Sequence, residues 1–456
     1  MKIAIEAQRI FRKDKHGMDF VALETIRELQ KRQDGNEYFI LVAPGEDVCL
    51  EESDNSTIVE LSCPTYPLWE QVALPFAVKR LGVDMLHCTS NTAPLWCPVP
   101  LILTLHDIIY LEPRAHRSAS LYQEMGWHYR RLVVPRILKH CSRILTVSHF
   151  EQQRITEALQ LPKDRVQTVY NGYNLRFHPL SPEAQQAAKS YIPDEGFLFF
   201  LGNTDPKKNT AGVLKGYAEY LQHSLHKRKL LIADLKEEAL EAILKAEQIE
   251  AIRPYIYCPG YIRNDHLPAI YNAAFAFLYP SLRESFGIPM IEAMACGTPA
   301  IVSNTSAMPE VAGEGALFVD PFQPSTIAQA LLQLESNPQL QEKQRAYGLL
   351  RAQRYSWAST AEAWSRIYNE VGRENKRNHA EGKNASENET DIEERENKGR
   401  ERGRGHAEEK NASEDETDIE ERENKGKGRG RGHAEEKNAS EREKFGAEEK
   451  KEEKMN

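Results

Sequence analysis

The sequence predicts an α/β protein made of two parallel-sheet domains facing a cleft, followed by a disordered, charged tail. Three observations predict it. Strand-like runs alternate with amphipathic helical stretches in two successive series, a turn-rich segment separates the series, and a 27-residue charged repeat closes the chain. The expected boundaries are 1–180 for the first domain, 181–372 for the second, including a final helix, and 373–456 for the tail.

In the first series the strands are "KIAIEA" from Lys2, "YFILVA" from Tyr38, "TIVELS" from Thr57, "LILTLH" from Leu101, "RILTVS" from Arg143 and "VQTVYN" from Val166. Most are apolar on both faces, as strands covered by helices on each side must be. Amphipathic stretches such as "DFVALETIRELQKR" and "LVVPRILKHC" supply those helices. "NGYNLRFHPLSPEAQQ", with Pro179 and Pro182, interrupts the pattern. It resumes with "FLFFLG" from Phe197, "KLLIADL" from Lys229, "YIYCPGY" from Tyr255, "AFAFLYPS" from Ala274, "PAIVSN" from Pro299 and "ALFVD" from Ala316. "SWASTAEAWSRIYNEV" is the last amphipathic helix.

From His379 the chain repeats "HAEGKNASENETDIEERENKGRERGRG", then a near copy at His406 and a diverging one at His433. These copies hold 25 of the 68 acidic residues and 18 of the 59 basic ones, so most of the net charge of −9 resides in the tail. Its large apolar residues are Ile392, Ile419, Phe445 and Met455 alone, too few to offset the entropy of ordering the segment. The interspersed acids argue against strong nucleic-acid binding by its Gly-Arg runs, and no nucleic-acid partner is expected.

Seven scattered cysteines with no C-x-x-C point to a reducing cytoplasm and away from structural zinc. No apolar run approaches the roughly 18 residues that a membrane span needs. "GWHYRRLVVPRILKHCSR", Gly126–Arg143, interleaves bases with apolar residues after "EPRAHR". Two readings stand: peripheral contact with an anionic membrane at its inner face, collecting a lipid-linked acceptor, or a helix with one solvated basic face.

Ligands of open α/β sheets collect at the carboxyl ends of the strands, and four places qualify. Gly17 opens the first helix, where it allows a phosphate to approach the helix N-terminus or is an ordinary loop glycine. His106-Asp107 ends a strand; the ring serves a sugar hydroxyl or proton transfer with Asp107 orienting it, or the pair satisfies local backbone groups. Lys207 and Lys208 follow "FLFFLGNTDP" at a helix start, an anion site in which a ligand resolves the conflict between two cations and the helix dipole. Glu284 sits in "LRESFG", and Glu292 lies within the apolar helix "IPMIEAMACG". A desolvated carboxylate costs several kcal/mol unless paired. A ribose, whose two hydroxyls one carboxylate can accept, or an arginine of the neighbouring domain would answer Glu292.

Together "PSLRESFGIPMIEAMACGTPAIVSNTSAMPEV", "GNTDPKKN", "LHDIIYLEP", "RILTVSHFEQQRI", "VYNGYN" and "GALFVDP" resemble blocks of the retaining glycosyltransferases of family 4, in the same order. The resemblance covers roughly residues 1–372. It implies the GT-B fold of two Rossmann-like domains and transfer of a hexose, with mannose favoured, from a nucleotide diphosphate sugar, GDP- or UDP-linked, to a glycan or lipid-linked acceptor of a cell-surface polysaccharide. By position it implies Lys208, Glu284 and His106 as catalytic. Lys208 neutralises the leaving diphosphate with help from Lys207, Glu284 faces the transferred sugar, and His106 contacts it near the reacting carbon. Ser285, Phe286, Gly287 and Ile288 supply backbone amides, Glu292 holds the ribose, and Gly17 admits the diphosphate. Where many members carry an arginine six residues before the lysine, this chain has Gly202, so Lys207 is expected to supply the second charge. With no D-x-D at a strand end, no metal and no further cofactor are expected. Two rivals are a nucleotide-sugar epimerase of the same fold, against which the Glu-x7-Glu spacing speaks, and a non-catalytic scaffold, which would be expected to lack Lys208 or Glu284.

Overall fold

The computed structural model describes residues 1–112, 121–378 and 380–381. "PRAHR" and the repeats from His379 therefore fall outside the described residues, apart from Ala380 and Glu381, and the expected disorder of the tail concerns that remainder.

The first sheet has seven strands, one more than the sequence reading finds. They are β1 (Lys2–Glu6), β2 (Glu37–Val42), β3 (Ser56–Glu60), β4 (Met85–Cys88), β5 (Leu101–Thr104), β6 (Cys141–Thr146) and β7 (Val166–Thr168). Their order is β3-β2-β1-β4-β5-β6-β7, and every pairing is parallel. The second sheet contains the six expected strands, β8 (Leu198–Leu201), β9 (Leu230–Ala233), β10 (Ile256–Gly260), β11 (Ala276–Tyr279), β12 (Ala300–Ser303) and β13 (Ala316–Val319). It runs β10-β9-β8-β11-β12-β13, again parallel throughout. Both sheets reverse winding direction between their first and fourth strands. That reversal opens a crevice beyond the carboxyl ends of β1 and β4 in one sheet and of β8 and β11 in the other.

Each sheet is covered on both faces by apolar side chains, which accounts for the nearly continuous hydrophobic runs. The final helix, 357–378, is a correction to the domain assignment. Although it follows the second domain in the chain, its Ala361, Trp364, Ile367, Tyr368 and Val371 join the core formed by Ile3, Ile5, Tyr38 and Met85 on the first sheet. Amphipathic periodicity shows that a face is buried and leaves its partner unspecified.

The missed strand β4 carries His87 in the centre of that contact. Its Nδ1 lies 2.7 Å from the Tyr368 hydroxyl, its Nε2 lies 2.8 Å from Thr104 Oγ1, and its ring meets Trp364 edge-on at 4.4 Å. Burial, with a smaller contribution from His106, drives the imidazole pKa down to about 3. Below its ordinary value of 6.5 the unfolded chain takes up a proton that the folded chain refuses, so this residue makes stability fall as pH falls from 6.5 toward 3. The slope approaches about 1.4 kcal/mol per pH unit. Urea unfolding of wild type and His87→Gln at pH 7 and pH 5 should show a smaller pH-dependent loss in the variant; equal losses would contradict the assignment.

Candidate functional site

Lys208 and Glu284 leave adjacent strands at the reversal point of the second sheet. The turn Pro206–Lys208 follows β8, and the Asp205 carboxylate accepts the Lys207 amide at 3.1 Å to begin it. Asn209, at φ +58°, donates its amide to Pro280 O at 3.1 Å and Pro321 O at 2.7 Å, tying this turn to the loops after β11 and β13. The Leu282 amide donates to Lys207 O at 2.7 Å, which closes the contact between the two loops. In consequence Lys208 Nζ reaches Glu284 Oε1 at 2.7 Å and the Tyr279 hydroxyl at 3.3 Å, and it lies 5.0 Å from the Tyr279 ring centre. Both charges are largely shielded, with side-chain exposures of 19% and 14%.

Lys207 behaves differently. It pairs with Asp205 at 3.3 Å and stays 40% exposed, so its charge is partly answered within its own turn. At Gly202, where the resemblance would place an arginine, a Cβ would lie 2.7 Å from the Phe200 ring.

Beyond Glu284, Gly287 turns the chain into the Ile288–Ala295 helix at φ +92°, a conformation that only glycine adopts without strain. Phe286 points inward, against Tyr170 at 6.0 Å and Tyr355 at 5.5 Å, so only its backbone is available to a ligand. Glu292 makes no ion pair among the described residues. Tyr271 donates a long 3.5 Å hydrogen bond to its Oε2. Desolvation pushes its pKa up to about 7, against the opposing pull of the Arg176 guanidinium and the Tyr271 hydroxyl. Among the described residues no arginine comes within ion-pair distance of this carboxylate; Arg176 acts on it from farther away.

In the first domain Gly17 begins the Gly17–Gln30 helix, and a Cβ added to it would meet nothing within 4 Å. No protein contact requires glycine there. His106 is buried just past β5, where its amide donates to Asn91 Oδ1 at 2.6 Å and its Nε2 lies 2.9 Å from Thr89 O. A carbonyl only accepts, so Nε2 carries the proton. Desolvation depresses the ring pKa, and in the neutral ring that leaves Nδ1 an acceptor. Asp107 Oδ1 accepts the Ile109 amide at 3.0 Å, and its charge opposes the desolvation of the His106 ring.

Thr89 is itself held by a residue that the sequence reading passed over. Glu6, the last residue of β1, accepts the Thr89 amide at 3.1 Å and the Gln8 amide at 3.0 Å. A carboxylate ending the apolar run "KIAIE" was the available signal. Among the described residues no hydrogen bond or ion pair joins His106 or Gly17 to the Lys208–Glu284 pair.

Contacts between the domains were also missed. The Ser148 hydroxyl donates to Ser285 O at 2.8 Å, and Arg283 pairs with Glu151 at 2.5 Å and with Glu112 at 3.3 Å. Glu310 accepts the His149 amide at 2.7 Å, the Phe150 amide at 2.9 Å and the Tyr170 hydroxyl at 2.8 Å. These residues stand about 130–170 positions apart, so no local pattern could pair them.

The basic stretch Gly126–Arg143 spans the end of the Leu121–Ile137 helix and the start of β6. Val133, Val134, Ile137 and Leu138 face the core, while Arg131, Arg136 and Lys139 are exposed. Among the described residues no helix is long and apolar enough to cross a membrane. No cluster of three or more His, Cys, Asp or Glu there forms a metal-sized group.

Comparison with known proteins assigns both halves. Residues 16–177 match the profile described as Glycosyltransferase Family 4, and residues 183–351 match Glycosyl transferases group 1. The chain belongs to this glycosyltransferase family. It is 30% identical over 260 residues to the O-antigen chain mannosyltransferase B of Escherichia coli, an alignment covering 56% of this chain and 66% of that protein. It is 29% identical over 312 residues to the serotype-specific mannosyltransferase WbdA of the same organism, covering 64% of this chain and 37% of that protein. The chain thus spans just under two thirds of one relative and little more than a third of the other. Among solved structures, HepE of Anabaena in complex with UDP-glucose superimposes with a TM-score of 0.62 at 14% identity, over 81% of this chain and all of that one. That likeness establishes the GT-B architecture.

Proposed function

We propose that this glycosyltransferase moves mannose or a related hexose from a nucleotide diphosphate sugar to a hydroxyl of a glycan or lipid-linked acceptor, with retention at the anomeric carbon. The observation that carries the reading is the Lys208–Glu284 pair at the reversal point of the second sheet, followed eight residues later by the Glu292 carboxylate, which makes no ion pair among the described residues. The names of the relatives favour mannose, and a mannosyl residue of a cell-surface polysaccharide as the product.

In this reading the ribose hydroxyls donate to Glu292, and the diphosphate lies between Lys208 and the glycine-started helix of the first domain. The bond from the anomeric carbon to the phosphate oxygen breaks, leaving an oxocarbenium-like sugar and a diphosphate whose added charge Lys208 stabilises. The acceptor oxygen then bonds to the same face of that carbon, and its proton passes to the departing phosphate oxygen. Glu284, held beside Lys208, faces the sugar, and His106 accepts from a sugar hydroxyl through Nδ1.

The test is product analysis. An α-linked donor such as GDP-mannose, incubated with a mannosyl acceptor, should give an α-linked product by NMR of the anomeric carbon and proton. A β-linked product would overturn retention, and hydrolysis or epimerisation without transfer would favour the rival enzyme class.

A further inference from the structure

We infer that the first turn of the His149–Leu159 helix, in the first domain, positions Glu284 in the second, with Glu151 and Ser148 as positioning residues for the reaction. This inference rests on the catalytic reading of Glu284 given above.

Glu284 is flanked by two residues that the first domain grips. On one side is Arg283, whose guanidinium pairs with the fully buried Glu151 at 2.5 Å and with Glu112 at 3.3 Å. Its guanidinium carbon also lies 4.9 Å from the centre of the Phe150 ring, and Glu112 is in turn held by Arg154 at 2.8 Å. Phe150, Glu151 and Arg154 all belong to the same helix. On the other side is Ser285, whose carbonyl accepts the Ser148 hydroxyl at 2.8 Å while that hydroxyl's oxygen caps the helix by accepting the Glu151 amide at 3.1 Å.

A third contact fixes the helix itself. The Glu310 carboxylate, from the second domain, takes the His149 and Phe150 amides at 2.7 and 2.9 Å, groups that a helix start leaves without intrahelical partners. A carboxylate at that end also meets the favourable sign of the helix dipole. Two of these contacts grip the loop on either side of Glu284, and the third holds the helix turn that makes them.

From its own domain the loop is held at its start, by the Asn209 amide on Pro280 O at 3.1 Å and the Leu282 amide on Lys207 O at 2.7 Å, and beyond Glu284 by the buried Phe286 ring. The Ala307 amide donates to Glu284 O at a long 3.4 Å, and the side chain is fixed by Lys208. Arg283 Nη1 also donates to Glu284 O at 3.2 Å, so loss of the Glu151 charge acts directly on the backbone of Glu284. Displacement of a reacting group by an ångström costs on the order of a hundredfold in rate. The consequence is that docking of the first domain and placement of the catalytic carboxylate are one event: the donor site of the second domain is complete only against this helix.

The experiment is a double-mutant cycle on the full chain, measured as kcat and donor KM. Glu151→Gln, which keeps the size but removes the charge facing Arg283, should lower kcat by about tenfold to a hundredfold and leave donor KM within about threefold. In a Glu284→Gln background the same change should cost less than about threefold, because the group it positions is gone. Ser148→Ala, a milder change, should behave likewise with a smaller loss and keeps the test open if Glu151→Gln does not fold. Losses that multiply independently of Glu284, or that fall on KM alone, would overturn the positioning role. Wild-type turnover in Glu284→Gln itself would instead defeat the catalytic reading on which it rests.

Discussion

Lys208→Ala should lower kcat by about 10²–10³-fold, roughly 3–4 kcal/mol, while donor KM changes far less. The ammonium sits at the carboxyl end of β8, mostly shielded, 2.7 Å from one carboxylate and 3.3 Å from a phenol. A charge held in a poorly solvated place attracts a developing anion more strongly than the same charge in water. A diphosphate is already charged in the ground state, but it gains charge as the glycosidic bond breaks. The part of the attraction that grows with bond breaking appears in kcat. Lys207, exposed and paired with Asp205, should matter less, and Lys207→Ala provides the comparison. Steady-state kinetics that leave kcat of Lys208→Ala at the wild-type value would remove the residue from the mechanism.

Glu292→Gln should have two opposite effects. Donor affinity should fall by about tenfold to a hundredfold, because hydrogen bonds to a carboxylate are worth about 1.5–3 kcal/mol and the amide oxygen is a weaker, single acceptor. Stability at pH 8 should rise, on the order of 1–3 kcal/mol. The sign follows from desolvation, which raises the carboxyl from 4.5 to about 7 in the folded chain. Between those values the folded chain holds a proton that the unfolded chain has released, so stability falls as pH rises through the window. Above it the desolvated charge is fully disfavoured, and glutamine avoids that cost. Near pH 5 the gain should nearly vanish, which separates it from a general packing effect. A variant that melts lower than wild type at pH 8, or binds the donor equally well, would contradict the assignment. Residues that serve ligands at the expense of the fold are a common source of such conflict.

The two predictions rest on residues that were legible in the chain, and the reason is local. Lys208 and Glu284 each follow an apolar run that reads as a strand, and the reversal of winding order puts those two strands side by side. Glu292 stood out because a charge in "IPMIEAMA" needs a partner. Strand β4 was not legible, since "MLHC" is four residues long and contains a histidine whose partners, Thr104 and Tyr368, lie in other elements. The docking of the final helix on the first sheet was hidden for the same kind of reason. So was the grip on Arg283 and Ser285: Glu151 is an unremarkable acid in a helix until a chain segment about 130 residues away meets it.

The most direct test of the account is isothermal titration of the full chain with GDP, UDP and ADP and with their common sugar conjugates, repeated with Lys208→Ala and Glu292→Gln. The account predicts that one nucleotide diphosphate binds and that Glu292→Gln weakens it by at least about tenfold, with a smaller loss in Lys208→Ala. Binding of none of these nucleotides, or binding that both variants leave unchanged, would contradict it.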